Sequence, residues 1–348
     1  CALPILELNV AHPETWLRVL PAGLYCAPGD FFVDPTRAVG RAVVTHAHSD
    51  HARPGHGAVL ASAATLALMR ARGVAGHSEQ ALGWGERLRI GGVELWLQPA
   101  GHVLGSAQVV MEYQGSRVVV SGDYKRQPDR SCDPFVPVAC DVFVSEATFA
   151  LPVFRHPPAE AEIGRLLASV ALFPGRTHVV GCYSLGKTQR LITLLRAAGW
   201  DAPVYLHGAL AAMCAVYEAQ GVRLGDLRPA TVAAKSALAG SIVLAPPSAI
   251  ADRWARRLTE PVVCMASGWM RVRQRAKQDG VELPLVISDH ADWDALNATI
   301  DEVAAPEVWV THGSEEALVH ALAGRGIRGR ELRLVGYGDE DAEPEAAA

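Results

Sequence analysis

Ala42-Val43-Val44-Thr45 runs without interruption into His46-Ala47-His48-Ser49-Asp50-His51. The first four residues make a short apolar strand, and the six that follow carry three histidines and an aspartate. In extended chain, residues two apart point to the same side, so His46 and His48 converge on one point. Asp50 and His51 lie just beyond, where the chain must turn, and can face a second point nearby. Imidazole nitrogens and a carboxylate, with no thiolate among them, suit zinc, with manganese and iron as alternatives. An incidental polar loop has no use for three histidines and an aspartate in six residues. A metal centre uses all four.

Other strands lead to residues of the same kind. A strand over 93–98 runs to Gly101-His102. The segment 107–113 pairs with 117–121 as a hairpin across Gln114-Gly115 and ends at Gly122-Asp123. A strand over 307–310 runs to Thr311-His312-Gly313, and one over 140–145 runs to Glu146. His102, Asp123 and His312 each sit just past a strand end beside a glycine, which allows a sharp turn. One histidine so placed is usually structural. The recurrence argues for a shared site.

From about residue 152 the pattern changes. Strands over 177–180, 204–206, 241–244 and 262–265 alternate with helices over 188–197, 209–219 and 249–258, which implies a parallel sheet with covering helices. A strand over 285–287, a helix over 294–303, a strand over 307–310 and a helix over 315–323 follow. From Asp339 the chain is acidic and ends in alanines, a composition that predicts disorder.

The runs HAHSDH, GHVLGS and SGDY resemble the successive motifs of the metallo-β-lactamase superfamily. Glu146-Ala147-Thr148, Ser288-Asp289-His290 and Thr311-His312-Gly313 look like the three further motifs of its β-CASP nuclease branch. Within the branch, residues 23–35, with Gly-Leu-Tyr-Cys and Asp-Phe-Phe-Val-Asp-Pro, are similar to the opening of the bacterial DNA-ligase-associated exonucleases. The resemblance implies an αββα sandwich formed by residues 1–148 and 285–338, with an inserted α/β β-CASP domain over 149–284 and a tail over 339–348. It implies two divalent metal ions, one held by His46, His48 and His102, the other by Asp50, His51 and His312, with Asp123 bridging. Asp50 would also be catalytic. His290 would meet the scissile phosphate or protonate the leaving oxygen, oriented by Glu146. Such a centre can make hydroxide near neutral pH and stabilise both oxygens of an in-line displacement at phosphorus.

Two signals compete with this reading. Gly181-Cys182-Tyr183-Ser184-Leu185-Gly186-Lys187-Thr188 fits the phosphate-binding G-x-x-x-x-G-K-[ST] pattern between a strand and a helix, and by itself suggests an ATPase. A partner aspartate for magnesium is hard to find, because Asp289 belongs to the His290 motif. The branch has a similar segment at this place without nucleotide chemistry, so the expectation is a helix N-terminus with Lys187 near substrate phosphate. After Ser267-Gly268, Arg271, Arg273 and Arg275 alternate with other residues, as on one face of an extended segment facing a nucleic-acid backbone. Ser267, Gly268, Arg271 and Arg273 are therefore candidate substrate contacts. His12, His56, His77, His156, His178, His207 and His320 have no supporting partners in sequence.

Composition sets outer limits. With 348 residues, half of them apolar and 20% charged, the chain can bury a substantial core. No apolar run approaches the ~20 residues of a membrane span, and the start lacks a secretory pattern. Seven scattered cysteines without CxxC pairs fit reduced thiols in a cytoplasmic protein. The net charge of −5 gives no global attraction to nucleic acid, so any such partner must be met locally. The resulting expectation is a two-metal deoxyribonuclease of DNA repair acting on single-stranded or end-containing DNA, with DNA ligase and helicase partners. An RNA-processing nuclease of the same branch is the alternative, since His312 is the residue usual in RNA-processing members. A thioester or lactam hydrolase is a third class. It would need neither the α/β insertion nor the Glu146–His290 pair.

Overall fold

The computed structural model describes residues 10–334, apart from 252, 253, 259 and 279; the expected acidic tail lies outside the described residues. Two sheets face each other. The first has six strands in chain order, from Leu17–Leu20 through Arg41–Val43 to Ser78–Ala81. The second has seven, in the order Arg328–Glu331, Glu307–Gly313, Val142–Ala147, Ser116–Val120, Ala107–Tyr113, Val93–Pro99, Leu88–Ile90.

Alternation along the central strands builds the layers. Val118, Val120, Val142, Val144 and Trp309 pack between the sheets against Trp16, Phe31, Val33 and Val43. The residues that point the other way, Val119, Phe143, Val308 and Val310, meet Leu296, Ile300, Leu318 and Leu322 of helices Trp293–Val303 and Glu315–Ala323. On the far side, Ala42, Val44 and Val59 of the first sheet pack on Leu66 and Met69 of helix Ala63–Ala71. This is an αββα sandwich dictated by period-two strands. Caps fix where its helices begin. The Asp292 carboxylate accepts from Ala295 N at 2.9 Å, and Ser62 Oγ accepts from Thr65 N at 3.1 Å.

Residues 178–285 form a third, six-stranded parallel sheet, in the order Leu227–Pro229, Val204–Leu206, Ile242–Ala245, His178–Gly181, Val262–Ala266, Leu283–Leu285. Its two central strands, Ile242–Ala245 and His178–Gly181, are buried along their whole length, as a sheet covered on both faces requires. Helices Lys187–Ala197 and Gly208–Ala219 join one apolar cluster with helix Ala63–Ala71, so this body packs against the sandwich.

Three expectations are corrected. The strand expected at 285–287 is Leu283–Leu285 and pairs with Val262–Ala266, so it closes the third sheet and is not part of the sandwich. The helix expected over 249–258 is a short helix Pro247–Ala251 and a 3-10 turn Ala255–Arg257. The arginines expected on an extended face occupy a 3-10 turn, Gly268–Arg271, and a helix, Arg273–Gln278. Short runs carry too few periods to separate strand from helix.

Candidate metal centre

Strands Val142–Ala147 and Glu307–Gly313 run parallel to Ser116–Val120, and Val93–Pro99 shares their direction across the antiparallel Ala107–Tyr113. Their C-terminal ends therefore open on one edge, where they deliver His102, Asp123, Glu146 and His312. The opposite sheet delivers the histidine run to the same edge, where Thr45 O accepts from Ala107 N at 2.8 Å. Gly122 makes the turn before Asp123 with φ +56°, and a Cβ there would stand 2.8 Å from Thr45 Cβ.

Asp123 lies at the middle. Its Oδ2 is 3.5 Å from His46 Nε2, 3.3 Å from His51 Nε2 and 3.8 Å from His102 Nε2. Asp50 Oδ2 lies 3.5 Å from His51 Nε2, and the His312 ring centre lies 5.0 Å from that of His51. One ligand atom from each of His46, His48, His102 and Asp123 falls within 4.8 Å of the others.

The outer face of each ring shows which nitrogen carries the proton. His48 Nε2 donates to Leu185 O at 3.1 Å, and His102 Nδ1 donates to Asp289 O at 2.9 Å, because a carbonyl can only accept. His51 Nδ1 donates to Asp34 Oδ2 at 2.8 Å. Thr45 Oγ1 gives its own proton to Asp34 Oδ2 at 2.6 Å and so accepts from His46 Nδ1 at 3.0 Å. All four rings thus turn their other nitrogen inward. His48 Nδ1 and His102 Nε2 face each other at 3.0 Å, a pair of nitrogens that a metal ion or a shared proton reconciles. This donor set fits a divalent metal, and partners behind the rings are how metal histidines are held.

Electrostatics agree for His46, His102 and His312, with His51 the exception. Burial, with the neighbouring imidazoles, holds His46 and His102 well below the ordinary histidine value, and burial with His51 lowers His312 to about 4. Neutral imidazole is the metal-binding form. Burial would raise Asp123, but His51 and the other rings outweigh it and hold the carboxyl well below its usual range. Burial would likewise lower His51, yet Asp123, Asp50 and Asp34 hold it well above. Three carboxylates in this space call for positive charge. The thiols stay out of it: burial pushes Cys26, Cys132, Cys182 and Cys264 up to about 12.

His290 stands beside the cluster, its ring 4.6 Å from that of His102. Its Nδ1 donates to Glu146 Oε2 at 2.9 Å, and Glu146 Oε1 accepts from Tyr124 N at 2.7 Å, so the buried carboxylate is fixed at both oxygens. Asp123, Glu146 and His290 also lie within 4.8 Å of one another.

The expected substrate contacts are placed unevenly. Ser267 is buried and caps its turn, its Oγ accepting from Trp269 N. A Cβ on Gly268 would stand 2.4 Å from Phe149 Cζ, and the Phe149 ring lies 6.1 Å from His290. Arg271 and Arg273 are exposed. Lys187 is the correction. It is 2% exposed, donates to Ile287 O at 3.1 Å and pairs with Asp289 Oδ2 at 3.1 Å, so it points into protein and not toward a phosphate. Thr188 Oγ1 donates to Tyr183 O at 2.6 Å, which occupies the hydroxyl a nucleotide loop would turn to magnesium. Sequence reading missed the roles of Asp34 and Arg190; an aspartate before proline at the end of an apolar run was the only hint of the first. His156, which had no partner in sequence, packs on Phe149 at 4.7 Å between ring centres.

No family model matches the chain. Over 313 residues, 88% of its length, it is 30% identical to a protein of Opitutus terrae named "Probable DNA ligase", of which it spans 30%. Over 213 residues, 52% of its length, it is 30% identical to a ribonuclease of Thermus thermophilus, of which it spans 49%. A protein of unknown function from Enterococcus faecalis shares the fold, with a TM-score of 0.57 at 12% identity over 83% of this chain and 78% of that one. The chain thus spans half or less of these curated relatives. Its motif residues meet at one edge, and the chain belongs to the β-CASP branch of the metallo-β-lactamase nucleases, including the bacterial ligase-associated type.

Proposed function

We propose that the chain is a metal-dependent nuclease that hydrolyses phosphodiester bonds, and specifically a DNA exonuclease of repair. The observation that carries this is the inward convergence of His46, His48, His51 and His102 on Asp123, with His290 held alongside by Glu146. His46, His48 and His102 would hold one divalent ion, Asp50, His51 and His312 the other, and Asp123 both. Zinc suits these ligands, with manganese and iron as alternatives. Such ions, when bound, generate a nucleophile from water near neutral pH and stabilise charge on phosphate oxygens.

The chain's own residues supply the rest. Asp50 orients the attacking water and accepts its proton. Glu146 accepts a hydrogen bond from His290 Nδ1, which leaves Nε2 as the nitrogen that would protonate the leaving oxygen. The inserted unit, residues 149–284, is built around the third sheet, and the substrate lies between it and the sandwich, near Ser267, Gly268, Arg271 and Arg273.

DNA is favoured because the similarity covers 88% of this chain within a relative named for DNA ligation. The same observation supports a DNA ligase as partner. The ribonuclease relative favours RNA as the second reading. The test uses single strands of DNA and RNA labelled at either end, with and without chelator. A ladder from one DNA end, abolished by chelator, is expected. Cutting confined to RNA would transfer the assignment to the second reading. Hydrolysis of a thioester with no cutting of either strand would end both.

A further inference from the structure

We infer that Arg190 is a positioning residue for the metal centre, and that the segment resembling a nucleotide loop is the arm by which the third sheet orders one of the two candidate ion positions. This rests on the metal reading above. Arg190 is 2% exposed in the first turn of helix Lys187–Ala197. Its guanidinium pairs with Asp129 on one side and, through Nε at 2.7 Å, with Asp289 Oδ1 on the other. Its Nη2 donates to two successive carbonyls, Gly101 O at 3.2 Å and His102 O at 2.8 Å. The fork therefore grips the backbone on which His102 is mounted.

Asp289 carries the grip to the ring. Lys187 holds its Oδ2 and Arg190 its Oδ1, and the Asp289 carbonyl receives the His102 Nδ1 proton at 2.9 Å. One turn earlier, Leu185 O receives the His48 Nε2 proton at 3.1 Å. The outer nitrogens of both His48 and His102 thus depend on residues that the Gly181–Thr188 segment and its helix organise. His46 and His51 do not: their outer partners, Thr45 and Asp34, belong to the sandwich. The third body reaches the His46–His48–His102 position and leaves the Asp50–His51–His312 position to Asp34. A lysine could keep the charge of Arg190 but not the two directed donors of Nη2.

The asymmetry gives the test. Wild type and Arg190→Lys, as full chains loaded with zinc, are titrated with a chromophoric chelator at a temperature where circular dichroism shows both folded. Outer partners of metal histidines are worth about 10–100-fold in affinity. Arg190→Lys should release one zinc by about that factor more readily and keep the other as wild type does. Asp34→Asn should weaken the other zinc most, through its direct bond to His51, with a smaller effect on the first zinc through Thr45 and His46. A role in folding alone predicts that the folded variant keeps both ions with wild-type affinity, and that result overturns the inference. If Arg190→Lys does not fold, Lys187→Met takes its place, with about tenfold weaker binding of one zinc expected and unchanged affinity overturning the claim. Wild type that takes up no zinc would instead sink the metal reading, and this inference with it.

Discussion

Asp123 and His290 stand within one crowded space yet carry different tasks, and substitution should separate them. Asp123 Oδ2 lies within 3.8 Å of three imidazole nitrogens, so Asp123→Asn should cost metal content and nearly all activity. His290 is tied to Glu146, so His290→Ala should leave metal content unchanged and lower turnover by the ~10²–10⁴-fold typical of a lost general acid. The loss should shrink on a nitrophenyl phosphodiester, whose leaving oxygen needs no proton. Loss of metal from His290→Ala would make it a ligand, as its closeness to Asp123 and Glu146 allows. The convergence of the candidate ligands was legible in sequence because strand periodicity and a six-residue spacing are local. Asp34 and Arg190 were not, because their partners lie 17 and 88 residues away. Lys187 shows the converse: a local pattern was complete, and a contact with Asp289 decided where the side chain went.

Strand ends set the centre, and the turns that follow them are under steric demand. Gly122 adopts φ +56° against the Thr45 side chain, the same side chain that links Asp34 to His46. Gly122→Ala combines a left-handed alanine with overpacking, roughly 2–5 kcal/mol together. It should also displace Thr45 and lower metal affinity. Gly199, at φ +84° with nothing within 4 Å of a Cβ, is the control. Gly199→Ala should lose only the backbone part, about 1–2 kcal/mol, and bind metal normally. Denaturant unfolding with zinc titration measures both, and equal behaviour of the two variants would remove Thr45 from the account. The central strands were readable because each alternates between two apolar faces, as Val118, Val119 and Val120 do. Edge elements such as Ser78–Ala81, with three of four residues exposed, offered no such alternation.

The candidate ligands tie the molecule together, because the histidine run comes from one sheet, His102, Asp123 and His312 from the other, and Leu185 and Asp289 brace them from the side of the third. Ion binding should therefore stabilise all three bodies at once and not a single loop. Sequence alternation announced the separate sheets, but their mutual packing rests on the cluster joining helices Ala63–Ala71, Lys187–Ala197 and Gly208–Ala219, contacts that no local pattern encodes. A ligand that binds only the folded state at a thousand times its dissociation constant adds about 4 kcal/mol, which for a chain of this size is a rise in Tm on the order of 5–10 °C. Calorimetry of chelator-treated protein, with and without added zinc, should show that rise in one cooperative transition. Asp123→Asn should abolish it, since the variant lacks the carboxylate proposed to serve both positions. A zinc-dependent rise confined to one of two separate transitions would mean that the centre braces the sandwich alone, and that the third sheet folds without reference to it.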